Sequence, residues 1–155
     1  MSGLYLSQLT LSHFRSHKRA VIDCDARPVS IFGPNGAGKT NILEAVSLLS
    51  PGRGLRRSSA SDMTRRPEAL GWKITAHLHS LGQIHEVEIW SEAGAARQVR
   101  IDGKATAQTG LGRIARVLWL IPSMDREADL RFQPGPIDYT VAWILLTFLG
   151  VFGVH

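Results

Sequence analysis

Gly33-Pro34-Asn35-Gly36-Ala37-Gly38-Lys39-Thr40 fits the pattern G-x-x-x-x-G-K-[ST] in full. Its flanks are those the pattern needs. Ahead of it, Pro28-Val29-Ser30-Ile31-Phe32 is a short apolar, partly β-branched run that predicts a buried parallel strand. Behind it, Thr40 to Ser50 carries Ile42, Ala45, Val46 and Leu49 at helical spacing, so a helix is expected to start at the lysine. Glycines between a strand and a helix let successive backbone N–H groups point inward at the positive end of the helix, which makes a nest for an anion. In this pattern Lys39 reaches the β- and γ-phosphates of a nucleotide, and the Thr40 hydroxyl sits on Mg²⁺. A ligand-free Gly-rich turn would require neither the complete pattern nor both flanks. The stretch therefore predicts binding of a nucleoside triphosphate.

Residues upstream and downstream make the expectation more specific. Leu4-Tyr5-Leu6-Ser7-Gln8-Leu9-Thr10-Leu11-Ser12-His13-Phe14-Arg15-Ser16-His17 resembles the opening strand and turn of RecF and the SMC-type repair ATPases. Ala20-Val21-Ile22-Asp23-Cys24-Asp25 resembles their second strand, and Thr40-Asn41-Ile42-Leu43-Glu44-Ala45 is particularly similar to RecF. Val99-Arg100-Ile101-Asp102-Gly103-Lys104 and the run from Val117 to Pro122 resemble that family's small meander and the strand after it. The likeness covers about residues 3–124, most specifically 9–49.

The resemblance implies an α/β fold: a P-loop NTPase, lobe I of an ABC-ATPase head, with an antiparallel β meander. It implies ATP and Mg²⁺ as cofactors, held by Asn35 to Asn41 together with Gly33 and Pro34, with Arg15 near the nucleotide. Glu44 is expected on the helix surface. The implied activity belongs to DNA replication, recombination and repair, within the SOS response. Implied partners are single-stranded or gapped duplex DNA and a second copy in a nucleotide-dependent homodimer. No Walker B pair, carboxylate base or signature motif is identifiable in residues 67–155. Phosphoryl transfer needs Mg²⁺ held from both sides and an oriented water. ATP binding is therefore expected of this chain, and hydrolysis by this chain alone is not. A transporter's nucleotide-binding subunit is the alternative, but it would want Gln after the 117–121 strand, where Pro122-Ser123-Met124 stands.

Composition agrees with a globular, cytoplasmic protein. Hydrophobic residues make up 44% of the 155 and charged residues 20%, which is not the balance of a disordered chain. Cys24 is alone, so no intramolecular disulfide is possible, and it is expected as a small buried hydrophobe on its strand. No signal peptide opens the chain. Charge is uneven: residues 1–66 hold ten Lys/Arg against four Asp/Glu, and residues 67–155 hold eight against nine. After the helix, Ser50-Pro51-Gly52-Arg53-Gly54 opens an Arg/Ser-rich stretch expected to be an exposed loop. Its Arg53, Arg56, Arg57, Arg65 and Arg66 are candidates for sequence-independent contact with DNA phosphates, and a solvated loop without a partner is the alternative.

From Gly71 the pattern becomes that of strands. Trp72, Ile74, Ala76 and Leu78 alternate with Lys73, Thr75, His77 and His79; Val87 and Ile89 continue the alternation, and Val99 with Ile101 form a third strand closed by Asp102-Gly103. His77 and His79 share a face without an evident third ligand, so solvent-facing histidines are expected. A short helix over 110–116 and a buried strand over 117–121 follow. Residues 125–136 then form a polar, Pro/Gly-rich linker or junction, and 141–154 carry no charge. Those fourteen residues fall short of the roughly 18–20 that span a bilayer. Residues 137–155 resemble the start of a small two-transmembrane-helix domain, which implies weak membrane contact through the tail. The preferred reading is an artificial or rearranged junction near residue 125; a non-functional chimeric fragment with a membrane-tethering tail is an alternative.

Overall fold

A computed structural model describes residues 3–34 and 36–118, and the backbone of Thr147–Phe148. Asn35, the far end of the expected 117–121 strand, the 125–136 junction and, that residue pair apart, the 137–155 tail lie outside the described residues.

Six strands form one antiparallel sheet in the order β2-β1-β3-β4-β5-β6. They are β1 (Tyr5–Phe14), β2 (His17–Asp23), β3 (Gly71–Ser80), β4 (Gln83–Glu92), β5 (Gln98–Ile101) and β6 (Lys104–Thr106). Short β7 (Val117–Leu118) pairs with β8 (Thr147–Phe148) in a separate ladder. Alternation builds the sheet as the sequence predicts. Leu9 and Leu11 on β1, Ile74, Ala76 and Leu78 on β3, and Val87 and Ile89 on β4 are all fully buried on one face. Against that face packs the single α-helix among the described residues, α1 (Lys39–Ser47), through Ala45 and Val46 and the following Leu48 and Leu49. Tight turns set the register. Asp102 and Gly103 both have positive φ, +49° and +78°, the geometry of a two-residue turn whose twist matches the strands it joins. That turn continues into β6, a strand the sequence pattern did not reveal because it is three residues long.

At its other end the sheet is closed by an aromatic pair. Phe14 meets Trp72 edge-to-face at 5.4 Å, and the Trp72 indole N–H donates to the Ala60 carbonyl at 2.7 Å. This bond satisfies a polar atom that burial would otherwise leave orphaned. Gly71 is required beside it: its φ is +98°, and an added Cβ would lie 2.3 Å from the Ser91 carbonyl oxygen.

The structure corrects several expectations. Residues 28–32 form no strand; Val29 is 55% and Phe32 80% exposed. A parallel strand buried on both faces needs neighbours in its own sheet, and every ladder among the described residues is antiparallel. The basic stretch is docked rather than loose. Met63 is buried at 2% exposure, Arg15 N–H donates to the Met63 carbonyl at 2.8 Å, and Arg65 N–H donates to the His13 carbonyl at 2.9 Å. Cys24 follows β2 instead of lying on it and is half-buried; that burial, with Asp23 and Asp25 beside it, pushes its thiol pKa up. The short helix expected over 110–116 is a 3-10 helix that begins and ends earlier, Gln108–Arg113.

Candidate nucleotide and nucleic-acid site

The glycine-rich loop delivers the chain into α1 through Gly38, whose φ of +89° and ψ of 18° place it in the left-handed region just before the first helical residue. A side chain there would also crowd the neighbouring turn. A Cβ on Gly38 would stand 2.5 Å from His17 Nε2 and 2.7 Å from Ser16 Oγ. The β1–β2 turn thus lies directly against the loop, and the His17 ring nitrogen is 3.1 Å from the Gly38 carbonyl oxygen. Lys39 is 9% exposed, and its ammonium donates back to the carbonyls of Gly33 and, at 3.0 Å, Pro34. Thr40 is exposed in the first turn of α1. First-turn amides of a helix have no intrahelical acceptor, so an anion at this end is met by both the N–H groups and the macrodipole.

Glu44 overturns its expected place on the helix surface. It is 1% exposed, and two arginines from two other segments close over it. Arg15 donates through Nε to Oε2 at 2.9 Å and through Nη2 to Oε1 at 2.8 Å, a two-pronged pairing suited to a guanidinium. Arg56 Nη1 donates to Oε2 at 3.0 Å and to Asn41 Oδ1 at 2.7 Å. Asn41 in turn donates to Ser16 Oγ at 2.8 Å, and Arg15 donates to Ser58 Oγ at 2.7 Å. One buried carboxylate therefore ties together the β1–β2 turn, α1 and the start of the basic stretch.

The predicted DNA-contact residues separate into two groups. Arg56 is engaged with Glu44, and Arg65 with Glu68 and with the Ser16 carbonyl. Arg53, Arg57 and Arg66 are exposed. His77 and His79 face solvent on β3, where His77 lies 3.3 Å from Glu86 and His79 stacks on Tyr5 at 4.2 Å. Sequence reasoning missed His17 as a wall of the loop and Glu44 as a buried anchor. The signal for both was present in Arg15-Ser16-His17, which lies on a turn but needs the fold to bring it to α1.

A glycine-rich loop entering a helix, backed by an antiparallel sheet, defines a P-loop nucleotide-binding head of the ABC-ATPase kind. Residues 5–114 match the model of the RecF/RecN/SMC N terminal domain, and the chain belongs to that family. Among similar proteins is the DNA replication and repair protein RecF of Caulobacter sp. (strain K31), 46% identical over 138 residues, or 81% of this chain and 35% of that protein. RecF of Rhizobium leguminosarum bv. trifolii (strain WSM2304) is 48% identical over 126 residues, 77% of this chain and 33% of that protein. The chain thus spans about a third of the length of these relatives. A solved structure of the recombination mediator protein RecF with ATP superimposes with a TM-score of 0.64 at 26% identity, covering 70% of this chain and 30% of that one. An SMC ATPase structure has a TM-score of 0.63 at 17% identity over 84% of this chain and 93% of that one, a likeness of fold.

Proposed function

We propose that this chain is the ATP-binding N-terminal portion of a RecF-like DNA recombination and repair protein, acting in the cytoplasm. The observation that carries the reading is the loop itself: Gly38 in the left-handed conformation, walled by Ser16 and His17, presenting Lys39 and Thr40 at the N-terminus of α1. In this reading the loop from Gly33 to Thr40 receives the triphosphate, Lys39 exchanges loop carbonyls for phosphate oxygens, and Thr40 bears on Mg²⁺ when the metal is bound. Asn41 and Arg15 act beside the nucleotide by holding the Ser16–His17 turn against Gly38. The nucleotide-dependent homodimer of the family is part of the same proposal.

DNA contact is assigned to Arg53, Arg57 and Arg66, with Arg56 and Arg65 as anchors of the stretch that displays them. Each phosphate contact contributes a little under one unit to the slope of log K against log salt. Replacing Arg57 and Arg66 together by Ala is expected to flatten that slope by about two units for a random-sequence duplex. A titration series in NaCl checks this, and an unchanged slope would return the stretch to a solvated loop.

Weak membrane contact through residues 141–154 rests on their uncharged sequence. Among the described residues no helix is long and apolar enough to cross a membrane. Residues 1–124 alone are expected to stay out of floating liposomes and to keep nucleotide binding, while a fraction of the full chain floats. Loss of nucleotide binding on truncation would make the tail part of the fold and would sink the proposed junction near residue 125.

A further inference from the structure

The second face of the sheet is uncovered by any described element, and its side chains are sorted by charge. Cross-strand partners in an antiparallel sheet share a face, so the register orders this surface into rows. One row runs Arg19–Ser12–Lys73–Trp90–Gln98 across β2, β1, β3, β4 and β5. The next runs Val21–Thr10–Thr75–Glu88–Arg100, and the third Asp23–Gln8–His77–Glu86. The first of these rows is cationic and carries a tryptophan and the third is acidic, while the register adds Gly71–Glu92 beyond the first row and His79–Ile84 beyond the third.

At the cationic row the face borders a groove of about 490 Å³, within the range of pockets that take small organic groups. Trp90 is half-buried there, and the Arg100 guanidinium lies over its ring at 4.9 Å from the centroid. Lys73 and Arg100 are 47% and 41% exposed at their side chains, whereas Glu88, which pairs with both, is 13% exposed beneath them. Lys73 and Arg100 therefore stand between a ligand on this surface and Glu88, while the exposed Glu92 also lines the groove. His13 and Leu70 line the same groove, and the Arg65 amide bonds to the His13 carbonyl, so the groove adjoins the end of the basic stretch.

The geometry points to a single-stranded nucleic-acid subsite on this face, with an unpaired base stacking on the Trp90 ring in place of the Arg100 guanidinium that covers it, and Arg19, Lys73 and the displaced Arg100 following the phosphates on either side. The inference rests on the DNA-contact reading above and adds a second, base-accepting surface to it. A row of five strands at about 4.8 Å spacing extends roughly 19 Å, enough to follow a backbone past one base instead of a lone phosphate. A tryptophan face accepts any base but only one that has left its own stack, so this subsite discriminates single strand from duplex.

The test is fluorescence anisotropy of the full chain with a labelled oligo-dT and with a blunt duplex of equal length. Trp90→Ala is expected to weaken oligo-dT binding about tenfold, the scale of one stacked base, and duplex binding less than about twofold. Trp90→Phe, which keeps a stacking ring and guards against a folding defect, is expected to retain most of the oligo-dT affinity. Equal oligo-dT binding by wild type and Trp90→Ala overturns the subsite while leaving DNA contact by the basic stretch intact. Equal losses for both DNA forms overturn it as well. Competition by poly-glutamate as effective as by oligo-dT would reassign the face to an acidic polypeptide. Failure of the unmodified chain to bind either DNA removes both readings.

Discussion

Arg15→Ala is expected to destabilise the chain by about 3–5 kcal/mol, because it leaves the Glu44 carboxylate buried with one of its two arginine partners gone. Glu44 is 1% exposed and receives two of its three side-chain hydrogen bonds from Arg15. A domain of this size has roughly 5–15 kcal/mol to lose, so the shift in a urea melt should be large. Replacing Glu44 by Gln in the same background removes the stranded charge and should recover part of the loss, since coupled partners are not additive. An Arg15→Ala change of only about 0.5 kcal/mol, the value of an exposed pair, would contradict the burial of Glu44. The stakes are functional as well. The same cluster holds Ser16 and His17 against Gly38, so its loss loosens the wall of the glycine-rich loop.

The parts of the fold written in short-range pattern were legible in advance. Alternation at Trp72, Ile74, Ala76 and Leu78, continued at Val87 and Ile89, gave the meander with its inward face, because strand periodicity is local. Helical spacing from Ile42 to Leu49 placed α1, which begins at Lys39 as expected. What failed was everything decided by a distant partner. Glu44 lies off the Ile42–Ala45–Val46–Leu49 stripe and therefore reads as a surface residue; two arginines from other segments bury it. Pro28 to Phe32 has the composition of a buried strand, but composition does not supply a neighbour to pair with. The basic stretch reads as loop from its Arg and Ser content. Its docking depends on Met63 and on Ala60 accepting from Trp72, neither of which carries a turn or charge signal.

Within the candidate site, the loop was visible as a motif and its walls were not. Lys39 is the only side-chain cation in the stretch from Gly33 to Thr40, so on the proposed reading no neighbour in the loop replaces its charge at the phosphates. Lys39→Ala is accordingly expected to abolish measurable nucleotide affinity. The carbonyls of Gly33 and Pro34 would lose their ammonium donor, but both can turn to water, so the fold should survive the change. A far-ultraviolet spectrum matching the wild type would verify that the loss is local.

Isothermal titration of the full chain with MgATP, set beside Lys39→Ala, reaches the central claim most directly. A saturable heat with one ATP per chain is expected for the wild type and none for the variant under the same conditions. Equal binding by the two proteins, or a wild type that binds no ATP while folded, would contradict that claim.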